Sequence, residues 1–125
     1  MALYRADADD KFDAYVRMAK QSARAILRRG PRWARGLAHL LLAGAATLEN
    51  SGGVRSELET AAVLLKEGDL APFRIAALYR LSLFVATDEA AVLVEEIENW
   101  AIRQRIANKD RILGGLSPGR WHAGV

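Results

Sequence analysis

From about Asp9 to Arg29, the residues Phe12, Tyr15, Val16, Ala19, Ala23, Ile26 and Leu27 keep the i, i+3, i+4, i+7 spacing of an amphipathic helix without a miss. Four further segments repeat the pattern, and no stretch alternates as a strand would. That period restricts the chain to an all-α fold: a single-domain bundle of about five helices. At 125 residues the chain fits one domain with one core. Its apolar fraction is dominated by Ala and Leu, which favour helix.

Local punctuation marks the boundaries. Gly30-Pro31 ends the first helix, because Pro cannot continue the hydrogen-bond ladder. The second starts at Pro31 and runs to about Glu49, with Trp33, Leu37, Leu40, Leu41, Gly44 and Leu48 on its core face. Its small residues Gly36, Ala43, Gly44, Ala45 and Ala46 predict a close helix neighbour. Asn50 to Gly53 reads as a loop. Ser56-Glu57-Leu58-Glu59 reads as a capping box opening the third helix, which closes at Glu67-Gly68. Asp69 is the expected cap of the fourth helix, from about Leu70 to Ala86. That helix is apolar almost all round and so is placed at the centre of the bundle. Thr87 caps the fifth, which is expected to continue to about Leu113 and stop at Gly114-Gly115. The bundle domain is thus expected over residues 1–115, with residues 116–125 as a flexible tail.

Charge is sorted along this helical pattern. Residues 1–36 carry nine Lys/Arg against four Asp, net +5. Residues 37–100 carry four against ten, net −6, and residues 101–125 five against one, net +4. Stepping about 100° per residue from Phe12 gathers Arg17, Lys20, Arg24 and Arg28 into one stripe. Asp13 is placed to pair with Arg17 at i, i+4, whereas Lys20, Arg24 and Arg28 have no local acid. Arg28, Arg29, Arg32 and Arg35 crowd the turn into the second helix. Arg32 and Arg35 sit where the helix dipole is already positive, so their charge is better matched to an external anion than to their own helix. Arg103, Arg105, Lys109 and Arg111 form a second basic block at the end of the fifth helix. The alternative is that the acidic helices pack beside the basic ones and cancel the field.

Catalytic patterns are missing from the sequence. It has no Cys, no Ser-His-Asp arrangement and no phosphate-cradling Gly loop. Glu95, Glu96 and Glu98 lack the Glu-x-x-His partner of a di-iron bundle. No metal or cofactor is expected, and Trp33, Trp100 and Phe84 are expected in the core. Leu37 to Leu48 is too short to span a membrane, and Met1 to Asp7 does not resemble a signal peptide, so a cytoplasmic location is expected.

The expected function is therefore non-enzymatic binding or assembly. The basic residues would meet an acidic partner, nucleic-acid backbone first, without sequence specificity. In size and character the chain resembles the small helical subunits of CRISPR effector complexes, which implies a place in a larger nucleoprotein assembly. A second expectation is a protein-interaction or oligomerisation module with complementary acidic and basic faces. A third rests on Ala38-His39-Leu40-Leu41-Leu42-Ala43-Gly44, which resembles the phospho-accepting segment of histidine-phosphotransfer domains. The resemblance implies His39 as the acceptor. Leu42 stands where those domains carry Lys, and Gly44 falls one place late, so Arg35 would supply the charge. In the tail, Arg120-Trp121-His122 is suited to stacking on a base or filling a partner groove.

Overall fold

A computed structural model describes the backbone of residues 2–121 and the side chains of residues 13–121. It is helical, with no strand among the described residues. The helices are α1 (Ala2–Arg29), α2 (Arg35–Leu48), α3 (Val54–Glu67), α4 (Ala71–Leu81), α5 (Thr87–Arg103) and α6 (Lys109–Leu116). A 3₁₀ turn, Arg32–Ala34, joins α1 to α2.

The packing order follows the chain. α1 lies on α2, α2 on α3 and α3 on α4, and α4 also receives α5 and α6. The central core draws on α2 to α6: Leu40, Leu58, Leu65, Ile75, Leu78, Leu81, Ile97, Trp100 and Leu113 are all buried. α4 is central to the second half, as its apolar composition predicts. The small residues of α2 are buried as expected, and two are required by geometry. A Cβ at Gly36 would come within 2.8 Å of the Leu65 amide nitrogen, and one at Gly44 would overlap the Pro118 carbonyl oxygen.

Several boundaries depart from the expectation. The fifth predicted helix is two, α5 and α6, which gives six helices among the described residues where about five were expected. The break is a Schellman closure: Ile106 N–H donates to the Ala101 carbonyl and Arg105 N–H to the Ile102 carbonyl. Arg105 takes the left-handed position, φ 56°, and the Asn108 side chain caps α6 by accepting from the Arg111 amide. Gly114-Gly115 lies inside α6 and does not stop it. α4 ends at Leu81, not Ala86; the Ser82 hydroxyl donates back to the Tyr79 carbonyl, and Phe84 and Val85 pack on the core from the turn. The Ser56 capping box is not formed. α3 starts two residues earlier, behind left-handed Gly53, and Glu59 pairs with Arg55 instead. Asp69 caps nothing; it is the left-handed residue that closes α3, φ 58°.

The expected tail packs as far as Trp121. Ser117 is fully buried, and its hydroxyl donates to the Leu113 carbonyl and accepts from Arg80 Nε at 2.9 Å. The Arg80 guanidinium lies between the Tyr79 and Trp121 rings, 5.1 Å from each centroid. Burial pulls its pKa below the ordinary arginine value. Trp121 donates to the Ser117 carbonyl and meets Phe84 edge to face. The Arg120 amide donates to Thr47 Oγ1 on α2. His122 lies outside the described residues.

Candidate anion-binding surface on the α1–α2 hairpin

Gly30-Pro31 folds α2 back along α1, and an ion pair between Lys20 on α1 and Glu49 just past the end of α2 fixes the antiparallel register. The hairpin turn carries Arg28 and Arg29 from the last turn of α1, then Arg32 and Arg35 around the start of α2. Among the described residues of α1, Val16 and Ala23 are buried. The basic stripe beside them remains outside, with Arg17, Arg24 and Arg28 all exposed.

The acidic block is largely committed elsewhere. Glu49 holds Lys20, Glu57 holds His39, Glu59 and Glu89 hold Arg55, Glu96 holds Arg74 and Glu98 holds Lys109. Among the described residues, none of Arg17, Arg24, Arg28, Arg29, Arg32 and Arg35 has a carboxylate within ion-pair distance. The expected Asp13–Arg17 pair does not form. Lys20 and Lys109, placed in the basic set from the sequence, are satisfied internally.

The two basic blocks sit on different elements of the packing order. The first belongs to the hairpin. The second lies around the α5–α6 turn, on helices that pack against α4: Arg103 and Arg105 at the turn and Arg111 on α6 are exposed.

A cavity of about 520 Å³ opens beside the hairpin turn, between the start of α2 and the end of α3. Arg32, Trp33, Arg35, His39 and Glu67 contribute to its lining. Trp33 was expected in the core and is instead 54% exposed, in contrast to Trp100 at 7%. Trp33 lies in the 3₁₀ turn, one turn before Leu37 and two before Leu41, which are only half-buried; the buried face of α2 runs instead through Gly36, Leu40 and Ala43. The Trp33 main chain approaches Gly68 closely: a Cβ there would lie 2.9 Å from the Trp33 carbonyl oxygen. The His39 side chain is 21% exposed, with Nδ1 2.6 Å from Glu57 Oε2 on α3. That contact orients the imidazole and leaves Nε2 as its other polar atom.

No family model matches the chain, and comparison with curated proteins and with solved structures finds no match. Among the described residues there is no cluster of metal-ligating side chains, and no helix is long and apolar enough to cross a membrane.

Proposed function

We propose that this chain is a small helical binding module that holds nucleic-acid backbone on the arginine-rich α1–α2 hairpin. The observation that carries the proposal is the uneven use of the acidic block. Its carboxylates pair with Lys20, His39, Arg55, Arg74 and Lys109, while six exposed arginines on one hairpin are left with none among the described residues. Exposed guanidinium groups along a helix and its turn suit phosphates, which they bind in bidentate fashion and without reading base sequence. The second basic block, Arg103, Arg105 and Arg111, would extend the contact to a longer strand or to another part of a nucleoprotein assembly.

Anisotropy of labelled single- and double-stranded oligonucleotides at about 50 and 200 mM salt tests the proposal. With about five phosphates contacted, affinity should fall on the order of a hundredfold between the two. The triple variant Arg28→Ala, Arg32→Ala, Arg35→Ala should lower the salt slope by about 2 to 3. Salt-independent binding, or none at the lower salt, would remove this function.

A second reading, self-association, draws on apolar residues left outside the core. α1 exposes Tyr15 and Met18 beside its basic stripe, and α5 exposes Val92 and Ile102 beside Asp88 and Glu95. These faces complement each other in charge. Sedimentation of the chain with and without Met18→Glu separates this reading from the first: a dimer lost in the variant supports it.

A further inference from the structure

We infer that the cavity beside the hairpin turn is a pocket for a terminal, 5′-phosphorylated nucleotide. The inference rests on the nucleic-acid reading of the hairpin and gives it a second kind of contact, with the end of a strand as well as its backbone. Three features of the cavity point the same way. Its volume of about 520 Å³ suits a small ligand. Arg32 and Arg35 bring two planar guanidinium forks to it, and neither is committed to a carboxylate among the described residues. Trp33 brings a half-exposed indole, on a main chain that packs close to Gly68.

Each feature matches one part of the ligand. A terminal phosphate monoester has three free oxygens and close to two charges at neutral pH, where an internal diester has two oxygens and one charge. Two adjacent arginines therefore favour the terminal group over the internal ones. An exposed indole is a stacking platform for a base of any sequence. Glu67, on the α3 side of the cavity, would oppose a phosphate placed against it but accepts from a ribose hydroxyl or a base amine. This places the phosphate toward Arg32 and Arg35. His39, oriented by Glu57, adds a second hydrogen-bonding ring on the α2 side.

The test compares two 3′-labelled single-stranded oligonucleotides of one sequence, one with a 5′-phosphate and one with a 5′-hydroxyl, with free AMP as competitor. The phosphorylated strand should bind at least tenfold tighter. Trp33→Ala and Arg35→Gln should each bring that ratio close to one. Both side chains are exposed, so thermal melting should find the variants folded. Equal binding of the two strands, or a ratio that survives Trp33→Ala, overturns the pocket and leaves the backbone reading intact. Binding of AMP, by calorimetry, with no binding of either strand keeps the pocket for a free nucleotide and removes the backbone reading. Failure of both strands and of AMP overturns both.

Discussion

At the scale of single residues, close approach and backbone sign decide what the chain tolerates. Gly36 has no room for a side chain, because the nearest atoms include the Leu65 main chain, which cannot give way. Gly36→Ala should therefore destabilise by about 1–3 kcal/mol despite its better helix propensity, by chemical denaturation. Gly52 has nothing within 4 Å of where a Cβ would stand and no positive φ, so Gly52→Ala should change stability by less than about 0.5 kcal/mol. Arg105 gives the opposite sign. A non-glycine residue held at φ 56° is strained, and Arg105→Gly should stabilise by about 0.5–1 kcal/mol in the same assay. Trp33 shows what the sequence could not convey at this scale. Its spacing to Leu37 and Leu41 is that of a core residue, but α2 buries the neighbouring face of Gly36, Leu40 and Ala43, and apart from Leu40 the small residues there give the period no large apolar side chain to mark it. The arginines around Trp33 were legible: Arg28 and Arg29 suit the negative end of α1, whereas Arg32 and Arg35 face a helix start that is already positive and have no local use. Which of the basic residues are already neutralised was not legible, because Glu49 and Glu98 reach Lys20 and Lys109 only after folding.

At the scale of elements, periodicity located the helical segments but merged α5 and α6, and most of the boundaries were set by contacts that no local pattern records. The α5–α6 break is the clearest example. Gln104, Arg105 and Asn108 interrupt the face of Ile97, Trp100 and Ala101, but no Gly or Pro marks the stop, and the closure uses an Arg where a Gly would have been a signal. The Ser56 box failed because Gly53, in the left-handed region, starts α3 earlier. α6 itself is short, and it is held on α4 by buried Leu113 together with the Arg80–Ser117–Trp121 cluster. Arg80→Ala removes the donor to Ser117 and the cation between two rings, and should cost about 2–4 kcal/mol. Hydrogen exchange should then show α6 amides losing protection before those of α3. Equal loss across the molecule would mean that α6 is not held separately.

At the scale of the whole molecule, the packing order makes α1 an outer layer, packed chiefly against α2, with its basic stripe facing away from the core. Amides of residues 13–22 should exchange faster than those of α3 and α4, which are packed on two sides. A bound polyanion should slow that exchange in step with its salt-dependent affinity. The all-α bundle followed from composition and period. The separation of the basic surface from the committed acids depended on tertiary pairing. The clasp at the far end of the chain has a consequence for synthesis. Ser117 and Trp121 complete the setting of Arg80, and the Pro118 carbonyl closes over Gly44. A ribosome must therefore have released residue 121 before the middle of the bundle has its last partners. Until then, helices made early wait with the Arg80 guanidinium unclasped, and residues 117–121 complete its setting.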